Sequence, residues 1–149
     1  MKILLPVIVI LLISYQLFAA DSVRFVEKKK LPTGEMVVVT EGDFEARSIG
    51  SLSVRVYEPA SQLDETTFFI SGLIHARDGS IEKIILNDLN NDQQTEIIIT
   101  TRSAGTGGYL SAYAFMYSEN ELIFLTSVEG LQPDADPLVN LKEKLQEKQ

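Results

Sequence analysis

Apolar and polar positions alternate with a period of two along most of the chain after residue 22. In Leu52-Ser53-Val54-Arg55-Val56-Tyr57, the side chains Leu52, Val54 and Val56 share one face and Ser53, Arg55 and Tyr57 the other, which predicts a half-buried strand. Met36-Val37-Val38-Val39-Thr40 is β-branched and stops at Glu41-Gly42-Asp43, a strand followed by a turn. Residues 67–74 give another strand, with a bend or bulge at Gly72. The turn dipeptide Asp78-Gly79 then leads into residues 81–86. Residues 95–101 are almost continuously β-branched and belong near the centre of a sheet. Residues 110–117 and 122–128 form a last hairpin around Ser118-Glu119-Asn120-Glu121, and residues 24–30 a weaker first strand closed by Pro32, Thr33 and Gly34. The count is about eight strands.

The period changes after Gly130. Asp136 can cap a helix, Pro137 fits its first turn, and Leu138, Leu141 and Leu145 are three and four residues apart, which predicts a short amphipathic helix over 137–147. The expected architecture is all-β, a compact antiparallel sandwich or open barrel, with this helix over an end or an edge. Residues 1–20 stand apart: Lys2, an apolar run from Ile3 to Ile13 and Ala19-Ala20 read as a signal peptide, leaving residues 21–149 as one exported β domain with no membrane anchor after cleavage.

Composition narrows the function. The chain has 149 residues and no cysteine, which excludes disulfides, thiolate metal sites and cysteine nucleophiles. With 13 Lys and Arg against 21 Asp and Glu, the formal charge is -8, and Lys2 is the only charge that leader cleavage removes. Such a surface disfavours nucleic acid and suits a cationic protein partner.

Candidate chemistry is sparse. Asp88, Asn90, Asp92 and Glu96 set oxygen-bearing side chains at offsets suited to calcium, but Gln93 stands where the bend wants glycine, so an Asx-rich turn is the competing reading. His75 is the sole histidine and has no catalytic or zinc-binding companions. Asp43 and Glu45 could be imagined as an acid and a base, although acidic pairs arise easily in this composition. The Lys28-Lys29-Lys30 run reads as a solvated edge. No catalytic set stands out, and neither a cofactor nor a resident metal is expected. A carbohydrate-binding module would use Tyr57, Tyr109 or Tyr113 as a ring-facing contact.

Arg102-Ser103-Ala104-Gly105-Thr106-Gly107-Gly108-Tyr109 follows the strongest strand. It lacks the Lys-Ser/Thr of a phosphate loop and the flanking glycines of a nucleophile elbow at Ser103. Two readings fit: a plain hairpin loop, or a recognition tip in which Thr106 and Tyr109 offer hydroxyls and a ring on a thin, glycine-rich backbone.

Four blocks together resemble the periplasmic inhibitors of invertebrate-type lysozyme: Leu31-Pro32-Thr33-Gly34, residues 41–51 (EGDFEARSIGS), Arg77-Asp78-Gly79-Ser80-Ile81-Glu82-Lys83 and residues 102–111. The resemblance runs from about Phe25 to Pro137 and implies a periplasmic, non-enzymatic, β-sandwich-like inhibitor that is frequently a homodimer. In that family a Ser-Gly-x-Tyr loop enters the lysozyme cleft. The matching residues are Thr106-Gly107-Gly108-Tyr109, with threonine in place of the serine, and the implied contact set is Ser103, Thr106, Gly107, Gly108 and Tyr109.

Overall fold

The computed structural model describes residues 23–147, so the proposed signal peptide lies outside the described residues. Alternation becomes eight antiparallel strands: β1 (Val26–Lys30), β2 (Met36–Glu41), β3 (Ile49–Tyr57), β4 (Phe69–Asp78), β5 (Ser80–Asn87), β6 (Glu96–Arg102), β7 (Leu110–Ser118) and β8 (Glu121–Leu131). They form two four-stranded meanders, β1-β2-β3-β4 and β5-β6-β7-β8, which face each other as a sandwich. Between them lie Val37, Val39, Leu52, Val54 and Val56 of the first sheet against Ile97, Ile99, Tyr113 and Phe115 of the second. These are the period-two positions of each strand, and removing them from water is the main stabilising contribution.

The helix α1 (Pro137–Gln146) starts as its sequence requires, with Asp136 Oδ1 accepting from Leu138 N at 2.9 Å. It lies over β8, the edge strand of the second sheet, and reaches inward across β7. Leu141 packs with Leu89, Ile98, Ala112, Ala114 and Val128 on the outer face of the second sheet, where the two alanines let the helix approach closely. β6 is therefore covered on both sides, which accounts for its unbroken apolar run. The basic run on β1 is a solvated edge: Lys28 Nζ pairs with Asp64 at 2.9 Å and Lys30 Nζ donates to Ala60 O at 2.7 Å. Among the described residues no helix is long and apolar enough to cross a membrane.

One expectation changes, and one turn takes an unforeseen role. The irregularity in β4 falls at Ile70, not Gly72, because Val56 pairs with Ser71 and Tyr57 with Phe69. Gly72 instead lets the chain lie close to β3: a Cβ there would lie 2.8 Å from the Val54 carbonyl oxygen and 3.2 Å from Arg55 Cγ. Asp78-Gly79 closes no hairpin, since β4 and β5 belong to different sheets. Gly79, at φ 77, passes the chain between them, and a Cβ at this corner would lie 1.9 Å from the carbonyl oxygen of Arg102. Buried Arg77 holds the corner by donating to the carbonyls of Ser51 (2.9 Å), Arg47 (3.0 Å) and Gly79. Buried Glu41 accepts from Ile81 N at 2.8 Å on the opposite sheet. These buried charged side chains, hydrogen-bonded to the backbone, fix one end of the sandwich, the end that carries the β6–β7 loop.

Candidate functional site

The loop between β6 and β7 begins where the strong β-branched run ends at Arg102. Its base is closed twice: Ser103 N donates to Tyr109 O at 2.9 Å, and Tyr109 N donates to Ser103 Oγ at 3.0 Å. A tighter turn lies above, in which Gly108 N donates to Gly105 O at 3.1 Å and Gly108 adopts φ 55. Gly107 has a different use. A Cβ there would lie 2.3 Å from the Tyr109 ring, so the missing side chain lets that ring lean across the turn. Thr106 is exposed at the apex and Tyr109 is 46% exposed, which puts a hydroxyl and a ring with a polar tip on one protrusion. Such a surface can insert into another protein's cleft and donate or accept hydrogen bonds there.

An ion pair stiffens this tip. Arg102 Nη1 donates to Gly108 O at 2.7 Å, while its Nε and Nη2 reach the two carboxylate oxygens of Glu82, Nη2 at 3.2 Å. Glu82 is aimed by a β-bulge: Ile81 pairs with Thr101 and Lys83 with Thr100, which leaves Glu82 as the extra residue of β5. Sequence reading missed both groups as parts of the site. Arg102 at a strand end is a weak signal, and a bulge in a neighbouring strand leaves none that spacing alone can detect.

The other candidates fall elsewhere. Tyr113 is 2% exposed in the core, with Asp78 N donating to its hydroxyl at 3.2 Å, so it cannot serve as a ring-facing sugar contact. Burial holds its hydroxyl above the usual phenol range. Tyr57 packs edge-on against Phe69, ring centroids 5.9 Å apart. The His75 ring lies 4.4 Å from Phe124 and 5.2 Å from Tyr113, a packing role in an aromatic cluster. Glu45 accepts from the amide (2.5 Å) and hydroxyl (2.8 Å) of Ser51, and those bonds hold its carboxyl below the usual range; it ties a loop together and forms no acid–base pair with Asp43.

In the β5–β6 loop the polar side chains cap their own backbone. Asp88 accepts from Asp92 N (3.2 Å) and Gln93 N (2.9 Å), and Asp92 accepts from Gln94 N (2.8 Å) and from the Asn90 side-chain amide (2.9 Å). Gln93 adopts φ 71, the left-handed conformation for which a calcium loop supplies glycine. Glu96 is fully buried and accepts from Leu89 N at 2.7 Å. Burial raises its carboxyl above the usual range, opposed by the Leu89 hydrogen bond and reinforced by Asp92 and Asp88. The hydrogen bonds of Asp88 and Asp92 make the loop an Asx-rich turn, the competing reading of its sequence; among the described residues no group of three or more His, Cys, Asp or Glu side chains is placed to hold a metal ion.

Comparison with known proteins places the chain in a family. Residues 23–145 match the family described as periplasmic lysozyme inhibitor of I-type lysozyme. The chain is similar to PliI-Ah, the inhibitor of that class from Aeromonas hydrophila, at 43% identity over 78% of this chain and 98% of that one, with TM-score 0.71. It is equally similar to Aeromonas hydrophila PliI crystallised in complex with the lysozyme of Meretrix lusoria, at 44% identity over 79% and 95% of the two chains, with TM-score 0.71. No curated protein sequence matches. A match covering nearly all the described residues, and a shared fold at this identity, show that the chain belongs to the periplasmic lysozyme inhibitors of I-type lysozyme.

Proposed function

We propose that this protein inhibits an invertebrate-type lysozyme in the periplasm by plugging its substrate cleft with the Thr106-Gly107-Gly108-Tyr109 tip. Family membership supports the inhibitory role, and one observation supports the contact assignment: both hydroxyl side chains are exposed on a protrusion that is hydrogen-bonded at its base. Thr106 and Tyr109 bond to polar groups of the cleft, Gly107 and Gly108 permit close backbone approach, and the substrate is excluded. The inhibitor performs no chemistry of its own. Its work is recognition, in which a pre-ordered loop lowers the entropy cost of binding. The extra methyl of Thr106, where the family pattern has serine, adjusts which lysozyme fits.

Steady-state turnover of peptidoglycan by an invertebrate-type lysozyme tests the mode of action. Competitive plugging raises the apparent KM with added inhibitor and leaves kcat unchanged. A fall in kcat at constant KM rejects cleft occupation. Binding of the isolated inhibitor to glycan, with no effect on the enzyme, favours the carbohydrate-binding module instead.

A further inference from the structure

The end of the sandwich opposite the tip holds a cavity that inhibition does not use. Three connections meet there: the β1–β2 turn of the first sheet, and the β5–β6 loop and β7–β8 turn of the second. They enclose about 330 Å³, a volume in the range of small-ligand sites. The length of β7 sets it roughly 27 Å from the tip, at ~3.4 Å per residue. Buried Leu31 and half-buried Tyr117 line it, with Glu35, Gln93, Glu119 and Asn120 around them. Two of these side chains stand where the backbone disfavours them. The Glu119-Asn120 turn is left-handed at both positions, φ 53 and 64, a geometry that favours asparagine and glycine, and Gln93 lies at φ 71. Turn formation accounts for neither glutamate at 119 nor glutamine at 93, yet both side chains line the same cavity.

The chemistry around the cavity is one-sided. Among its described lining residues there are two carboxylates, Glu35 from one sheet and Glu119 from the other, and no lysine or arginine. Thr33 Oγ1 donates to the Glu35 carboxylate, and their turn is closed by Leu31 N donating to Glu35 O at 2.8 Å and Gly34 N to Leu31 O at 2.9 Å. On the second sheet the Tyr117 hydroxyl donates to Asn120 Oδ1 at 3.2 Å. Burial first, and then the Glu35 charge, hold that hydroxyl above the usual phenol range, so the field of a carboxylate on one sheet reaches a side chain on the other. We propose that this cavity is a second binding site, independent of the tip, for a primary alkylammonium group. Its three N–H donors match the acceptors present: the two carboxylates, the Gln93 amide oxygen and the Tyr117 hydroxyl oxygen. Leu31 and the Tyr117 ring receive the alkyl stem, whereas an anion would meet two like charges and no compensating cation. A free diamine and the side-chain amine of a peptide present the same group.

Heteronuclear NMR titration of the inhibitor with the diamine cadaverine tests it, beside a lysine-bearing tripeptide blocked at both ends and, as a neutral control, N-acetylglucosamine. Saturable shifts of the Glu35, Gln93 and Glu119 amides are expected with cadaverine. The same shifts with the tripeptide extend the site to peptide amines, and their absence restricts it to free diamines. The charge-neutralised variant Glu35→Gln/Glu119→Gln should raise the Kd for cadaverine about tenfold or more and leave lysozyme inhibition unchanged. Glu119→Asn suits the left-handed turn, so it should raise the urea midpoint yet weaken cadaverine binding, an opposition that a purely structural glutamate would not produce. No saturable shift, shifts scattered over the acidic surface, or equal affinity in the charge-neutralised variant overturns the site. Saturation by N-acetylglucosamine that survives both glutamine substitutions makes it a neutral-sugar site and rejects the ammonium assignment. Loss of inhibition along with cadaverine binding in the folded variant rejects its independence from the tip.

Discussion

Removing Arg102 isolates the contribution of loop order to inhibition. In Arg102→Ala the Gly108 carbonyl loses a charged donor at 2.7 Å and Glu82 loses its partner. The two side chains are 37% and 35% exposed, so the ion pair itself contributes less than about 1 kcal/mol. The hydrogen bond to Gly108 adds a similar amount after allowance for water, giving a stability loss of about 1–2 kcal/mol. Affinity should suffer by a comparable amount, through lost order in the tip. The Ser103–Tyr109 bonds still close the base, but residues 105–108 become free to sample other turns. If the equivalent of one or two residues must be re-ordered on binding, the cost is about 2 kcal/mol. That corresponds to about a 30-fold rise in Kd. Surface plasmon resonance against an invertebrate-type lysozyme measures it, with circular dichroism confirming the fold. Arg102→Lys should be intermediate, because a lysine keeps the charge without the fork that spans Glu82 and Gly108. A Kd for Arg102→Ala within about twofold of wild type would refute the claim that this clamp pre-orders the tip.

Three other outcomes follow from the same structure. Gly79→Ala sets a Cβ against the Arg102 carbonyl at an unfavourable φ and should cost about 2–4 kcal/mol, read as a lower urea midpoint; an unchanged midpoint contradicts the one-residue crossing. Buried Glu96 holds its proton more tightly folded than unfolded, so its contribution is complete below the ordinary carboxylate pKa and declines as pH rises through the raised folded value. Urea midpoints measured from weakly acidic to neutral pH should therefore fall less steeply in Glu96→Gln, and parallel curves for the two proteins would reject this. Added salt should slow association with a cationic lysozyme, given the charge of -8, while changing dissociation little; equal association rates at low and high salt exclude steering.

Much of the fold was legible because burial follows period two. Leu52, Val54 and Val56 point inward as their alternation requires, and Asp136-Pro137 starts the helix where its capping chemistry predicts. Pairing across the molecule was not legible. Asp78-Gly79 carries the same local signal whether it closes a hairpin or joins two sheets, and only the fit of Gly79 against Arg102 decides. Tyr113 shows a related limit: in a strand covered on both faces a hydroxyl does not mark the solvent side, since the Asp78 amide satisfies it at the sheet corner. The tip residues were readable as a glycine-rich, hydroxyl-bearing run. Their support from Glu82 and Arg102 depends on one bulged residue twenty positions upstream, which sequence spacing does not reveal.

The central claim is tested most directly by the inhibition constant of Thr106→Ala/Tyr109→Ala against an invertebrate-type lysozyme, measured beside wild type with both proteins shown to be folded. Plugging by these two side chains predicts strong wild-type inhibition that is largely lost in the variant, most of it traceable to Tyr109→Ala alone. Undiminished inhibition by the folded double variant would contradict it.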